Sequence, residues 1–185
     1  MVIRILKRVL PTQSSRQLPQ TIVTDHDTVT IGDYAWIECR SEGSGLAGRN
    51  IYRALTTHRR LFVCFDEGDQ RLLPLDFAEE ILTQLAGMFR NVTAAAINQV
   101  TIVYRPQWSQ ECWLPADAQR IRIAHRQIRD LLAERYGSEV TRQVAIVYGG
   151  PLLETAQPQV INDINVDGLL YDPFESQDKE NEVKK

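Results

Sequence analysis

Short, nearly continuous apolar runs recur along the chain at residues 34–37, 61–65, 100–104, 144–148 and 166–171. Runs of this length, without polar alternation, predict strands covered on both faces. Between them the apolar spacing becomes helical. Phe77, Ile81, Leu82, Leu85, Met88 and Phe89 fall on one helical stripe, with Asp76 placed as its cap and Glu79 three residues on. Ile121, Ala124, His125, Ile128, Leu131 and Leu132 form a second stripe, which Gly137 ends. A shorter helix is predicted over residues 43–55. Strand and helix therefore alternate, which predicts βα units on a parallel sheet. Residues 2–10 read as a further strand and 11–20 as an exposed loop rich in Gln and Ser. The organisation expected is a divergent segment over 1–33, a βα domain over 34–176, and a flexible charged tail over 177–185.

Composition narrows the function. Lys and Arg number 21 against 24 Asp and Glu, a net charge of -3, so bulk electrostatics gives no reason to expect nucleic acid as a partner. Arg4, Lys7 and Arg8 interrupt the first apolar run, which does not read as a signal peptide. No apolar run is long enough to span a bilayer. A cytoplasmic protein without a membrane partner is expected. The three cysteines, Cys39, Cys64 and Cys112, fit neither a disulfide framework nor a zinc pattern and read as buried thiols. No metal and no cofactor is expected. Arg120, Arg122, Arg126, Arg129 and Arg135 are interspersed with Asp117, Asp130 and Glu134, which predicts a solvated helix face.

Several local strings are more specific. Residues 118–150 read AQRIRIAHRQIRDLLAERYGSEVTRQVAIVYGG, residues 103–108 read VYRPQW, residues 62–67 read FVCFDE, and Val166, Asp167 and Gly168 open the last run. In this order and at these separations they resemble triosephosphate isomerase from its fourth strand to its eighth. The first is similar to the family's seventh strand with the helix before it. Tyr104, Pro106 and Trp108 match its sixth-strand pattern; Val63, Cys64 and Glu67 match its fifth. The resemblance implies an α/β fold, a parallel (β/α) TIM-barrel-like architecture. Such a barrel takes about 250 residues, and only 33 precede Tyr34, so an incomplete or rearranged barrel corresponding to strands four to eight is expected. The family's first-strand catalytic lysine is not recognisable in the first residues; Lys7 reads as a solvated charge.

The same resemblance implies where chemistry would sit, and there the sequence departs from it. Function in these barrels lies at the C-terminal ends of the strands. The family pairs a glutamate base with a neutral histidine electrophile. The base position is Arg105, a permanently protonated group with no acceptor. The electrophile position is Arg40 when Ser41 and Glu42 are aligned, or Cys39 when Tyr34 is aligned without a gap. The histidines present, His26, His58 and His125, read as surface or packing residues. Gly149 and Gly150 match the phosphate-gripping turn, but Pro151 follows them and removes an N–H. Asp172 and Pro173 stand where the family has two glycines, and a carboxylate repels a phosphate by about 1 to 4 kcal/mol per charge pair. Residues 109–113, SQECW, replace a glycine-rich lid.

No catalytic residue is expected on this reading. The ligand-binding candidates are Glu67, Arg105, Gly149, Gly150 and Asp172, with a small phosphorylated ligand disfavoured. The expected function is that of an inactive relative acting in binding, assembly or regulation. The alternative is residual isomerase activity, or a different strand-end chemistry using Glu67, Arg105 and Cys39. Glu67 is expected to pair with Arg105. The open sheet edges of a shortened barrel call for cover by a second copy, by another protein, or by the N-terminal segment itself.

Overall fold

The structure, a computed structural model, describes residues 2–7, 22–23, 28–31, 34–39, 44–57, 60–65, 74–106, 109, 115–153 and 155–171. Five parallel strands form its centre: β4 (Tyr34–Cys39), β5 (Arg60–Phe65), β6 (Val100–Tyr104), β7 (Ala145–Tyr148) and β8 (Gly168–Tyr171), paired in that order. These are the five apolar runs, and the helices alternate with them. Helix α1 (Ser44–Thr56) follows β4 and α2 (Pro74–Met88) follows β5. After the short α3 (Ala94–Ile97) and β6 comes α4 (Ala118–Tyr136), then the short α5 (Ser138–Thr141) before β7 and α6 (Gln157–Ile161) before β8. Helix α2 begins two residues before Asp76, so Asp76 lies inside it; Pro74 suits a first helical position because its missing N–H would have no partner there. Gly137 ends α4 with φ 84, a conformation that favours glycine. Residues 11–20, the tail from 177 and Cys112 lie outside the described residues.

Three more strands extend the sheet, whose order is β2-β1-β8-β7-β6-β5-β4-β3. Strand β1 (Val2–Lys7) runs antiparallel to β8, with Arg4 opposite Tyr171, Ile5 opposite Leu170 and Lys7 opposite Gly168. Strand β2 (Ile22–Val23) pairs with β1, and β3 (Thr28–Ile31) pairs antiparallel with β4. Of the possible covers for the parallel sheet, the chain's own first residues occupy both edges.

Chain length dictates the curvature. The eight-stranded order has β2 at one end and β3 at the other. Seven steps of about 4.8 Å would set the ends of a flat sheet about 34 Å apart. Val23 and Thr28 are joined by four residues, a reach of at most about 18 Å. The sheet must therefore curl until its ends approach, as in a barrel. Burial agrees, because the sheet is covered on both faces. One face packs Ile37, Val63, Ile102, Tyr104, Ile146 and Tyr148 against the helix stripes of Ile51, Ile81, Leu85, Met88, Ile121, Ala124 and Ile128. The other holds Trp36, Phe62, Cys64, Val103 and Val147, each at most 5% exposed. Burial of each such large side chain stabilises the fold by about 1.5 to 3 kcal/mol.

Helix α4 has the exposed charged face that its arginines suggested, with Arg122, Arg126 and Arg135 on it, while Arg129 is largely covered. Arg129 donates to Thr141 O (2.9 Å) and Val144 O (2.9 Å) and pairs with Asp167, whose Oδ2 also accepts from Ile146 N (2.7 Å). This cluster clamps α4 to the N-terminal ends of β7 and β8. Arg135 donates to Phe89 O (2.8 Å) and Arg90 O (2.9 Å), satisfying carbonyls just past the end of α2. Arg122 pairs with Asp163 at 2.7 Å. The guanidinium groups of Arg122, Arg129 and Arg135 reach over the helix edge to neighbouring segments. No helix among the described residues is long and apolar enough to cross a membrane.

Candidate functional site

The strand ends converge where β4, β6, β7 and β8 finish, and the parallel ladder fixes what each presents. Arg105 N donates to Phe65 O (3.0 Å), so residue 105 stands one step beyond β6, directly above the end of β5. Gly149 N donates to Tyr104 O (2.9 Å), placing Gly149 beside Arg105 on the next strand. Alternation then sorts the side chains. Tyr104 packs with the helices and Val103 with the inner cluster, so Arg105 returns to the inner side. There its Nη1 meets Glu38 Oε1 at 3.4 Å, across the width of β5. The same Glu38 oxygen accepts from Trp36 Nε1 at 3.3 Å. The Glu38 side chain is 36% exposed and that of Arg105 18%. The Arg105 Nε is buried and, among the described residues, has no hydrogen-bond partner.

Beneath this ion pair the inner face is filled. Trp36 and Phe62 stack with centroids 5.9 Å apart, and Val103 and Val147 lie alongside. Gly149 is required by the closeness of its neighbours, since a Cβ there would stand 2.8 Å from Val103 Cγ1 and 3.3 Å from Leu170 Cδ2. A Cβ on Gly150 would stand 2.3 Å from the Tyr148 hydroxyl, which donates to Pro151 O at 2.9 Å. The two glycines are thus constrained by packing. The Gly149 N–H is committed to the ladder and Pro151 has none, which leaves this turn poor in donors for an anion.

The remaining candidates separate. Cys39 ends β4 on the helix side, 3% exposed, in the core with Ile37 and Phe65. It therefore faces away from Arg105 and does not join the mouth, because residues of odd and even number on β4 face opposite sides. Cys64 lies in the inner cluster, also buried. Arg40, Ser41, Glu42, Glu67, Asp172, Trp108, Trp113, His26 and His58 lie outside the described residues. So do residues 110–113 of the segment aligned with the lid, whereas Ser109 is buried. Lys7 cannot be delivered to the mouth by its strand. β1 is antiparallel, and Lys7, its last residue, meets the first residue of β8.

His125 is a fully buried packing residue. Its ring meets Tyr104 edge-on at 5.9 Å and its Nδ1 lies 3.4 Å from Asn165 O. Burial holds its pKa down at about 3, so the imidazole is neutral at ordinary pH.

Sequence reasoning missed Glu38. The signal was present: Glu38 is the one charge in the strand YAWIEC, and it shares the parity of Trp36 rather than of Ile37.

The fold and mouth together define an α/β protein with a partial TIM-barrel-like parallel sheet and a cation–carboxylate pair at its strand ends. A family model described as triosephosphate isomerase matches residues 38–172, and the chain belongs to that family. It is 25% identical over 130 residues to the triosephosphate isomerase of Alkaliphilus oremlandii, covering 70% of this chain and 52% of that protein. With the Rhodopirellula baltica triosephosphate isomerase it shares 25% identity over 142 residues, 77% of this chain and 56% of the relative. A shorter stretch of 80 residues, 43% of this chain, is 38% identical to 28% of the Syntrophotalea carbinolica triosephosphate isomerase. The chain spans about half the length of the curated relatives it matches.

Proposed function

We propose that this chain is a family member that does not isomerise triose phosphates and acts as a binding, assembly or regulatory protein in the cytoplasm. One observation carries the reading. The position aligned with the family's base is Arg105, and its guanidinium is paired with Glu38 at 3.4 Å. A base must take a proton from carbon, and a guanidinium has no acceptor. General-base catalysis contributes roughly 10² to 10⁴ in rate, so this substitution alone is severe. Two further features support it: the donor-poor Gly149–Pro151 turn, and the aromatic filling of the inner face beneath the mouth. Arg105, Gly149, Gly150, Glu67 and Asp172 remain the ligand-facing candidates of a non-catalytic mouth, and no catalytic residue, metal or cofactor is assigned.

A second reading has one observation in its favour. Glu38 is a partly exposed carboxylate within reach of the same mouth, so residual isomerisation or another strand-end chemistry would have an acid or base available. Assay of the purified chain on glyceraldehyde 3-phosphate separates the two. No turnover above buffer is expected. Turnover that survives Arg105→Ala and disappears in Glu38→Gln would replace the first reading with the second.

A further inference from the structure

We propose that the groove between α2 and α4 binds a free α-amino acid with a bulky apolar side chain, the side chain lying in the groove while the ammonium meets Glu134 and the carboxylate meets Arg135. The groove is lined by residues between 82 and 89 and between 131 and 135, and by none of the strand-end residues. The inference is therefore independent of what the mouth does. The groove offers about 500 Å³, within the roughly 300 to 1,000 Å³ of small-molecule clefts. Its walls come from the two apolar stripes of the sequence. Leu85, Phe89 and Leu132 are at most 3% exposed and make the floor. Leu82 and Leu131 belong to the same stripes, yet Leu82 is 41% exposed and Leu131 is only partly buried. Each stripe is thus wider than packing on the sheet requires, and the outer edges of both line the cleft. The helix ends are tied together beside it. Arg135 donates to Phe89 O at 2.8 Å and Arg90 O at 2.9 Å, and the Tyr136 hydroxyl reaches Val92 O at 3.1 Å. These bonds set the spacing of α2 and α4, so the cleft is formed before a ligand arrives.

Size and charge select the occupant. Nine residues line the groove, whereas a stable protein interface takes about 20 to 30 a side. A small molecule fits that footprint and a folded partner does not. Glu134 and Arg135 are exposed neighbours in the chain, and both line the groove, three and four residues beyond Leu131 on the same helix face. A ligand carrying only a carboxylate would gain from Arg135 what it loses to Glu134, and one carrying only an ammonium would meet the reverse. A zwitterion answers both charges at once. Arg135 keeps donors for a carboxylate, because its bonds to Phe89 O and Arg90 O both leave from Nη2.

The test titrates the full chain with L-tryptophan, with tryptamine, which lacks the carboxylate, and with indole-3-propionate, which lacks the ammonium. Dissociation constants are read by calorimetry and by ligand-observed NMR. L-Tryptophan is expected to bind about tenfold more tightly than either of the others. Ala86→Trp fills the groove from an exposed wall position and should weaken L-tryptophan by at least about tenfold, with urea unfolding as the check that the variant is folded. Glu134→Gln should remove the advantage of L-tryptophan over indole-3-propionate, a ratio that a merely structural role would not move. The proposal is overturned by a lack of saturable L-tryptophan binding up to its solubility, by binding indifferent to Ala86→Trp in a folded variant, or by a ratio unchanged in Glu134→Gln. A concentration-dependent rise in mass by light scattering that Leu82→Lys abolishes would give the groove to a second copy and overturn it as well. Should Ala86→Trp not fold, the ratio in Glu134→Gln decides alone.

Discussion

At Arg105 a cation stands one residue beyond the end of β6. Its guanidinium bonds to Glu38, which also accepts from Trp36, so a cation and a carboxylate are held together on the inner side of the strand ends. On the proposed reading, Arg105→Glu should not produce isomerisation, because Pro151, Asp172 and the residues at 39–40 also depart from the pattern that the resemblance implies. The variant also sets a second carboxylate against Glu38, so it should destabilise the chain by more than the roughly 1 kcal/mol that a partly exposed pair contributes. A triose phosphate assay and urea unfolding of this variant check both statements. His125 makes a different prediction. Its folded pKa is about 3 against the ordinary 6.5 of an exposed histidine, so the unfolded chain binds the extra proton between those values. Stability due to this group is complete above about pH 6.5 and falls as pH drops towards 3, at most by about 1.4 kcal/mol per unit. Replacement by Leu should flatten that part of the pH dependence, read as the difference between the two proteins' unfolding free energies from pH 7 to 4. The sequence disclosed His125 only as a position on an apolar stripe. Its lowered pKa comes from complete burial against Tyr104 and the loop of Asn165, neither adjacent to it in the chain.

At the scale of elements, the central strands and long helices were legible because their apolar periods are uninterrupted and their ends carry ordinary signals such as Gly137. Contacts between elements were not. The Arg129–Asp167 clamp joins α4 to strands that begin 16 and 39 residues later. Asp167→Ala removes an acceptor used by both Arg129 and Ile146 N and leaves a mostly buried guanidinium short of its counter-charge. A loss of about 2 to 3 kcal/mol in unfolding free energy is expected, with Arg129→Ala largely non-additive to it in a double-mutant cycle. At Gly48 α1 lies close against the backbone of α2, and a Cβ there would stand 2.8 Å from Gly87 O. Gly48→Ala should push the helices apart and cost about 1 to 3 kcal/mol despite the better helix propensity of alanine, measurable as a lower midpoint in urea. The hairpin of β3 and β4 had a signal that went unused. In the sequence, Gly-Asp at positions 32 and 33 falls between the two strand segments, a pattern that favours tight antiparallel turns.

For the whole molecule, the five parallel strands carry the family's scaffold and the first 31 residues supply the three strands that flank it. Removing residues 1–23 should bare the edge of β8 and reduce solubility, seen as concentration-dependent light scattering where the full chain stays clear. The α/β class, the order of the βα units and the family resemblance were all legible in the sequence. These follow from local periodicity and from strings that are read without knowing what lies beside them. Only the tertiary structure decided that Arg105 pairs with Glu38, that Cys39 faces the helices, that the glycine turn is closed by packing, and that the N-terminal strands flank the sheet in antiparallel sense. Each of these depends on register and on long-range closure, in which residues far apart in the chain become neighbours, and no local pattern specifies which pair will meet.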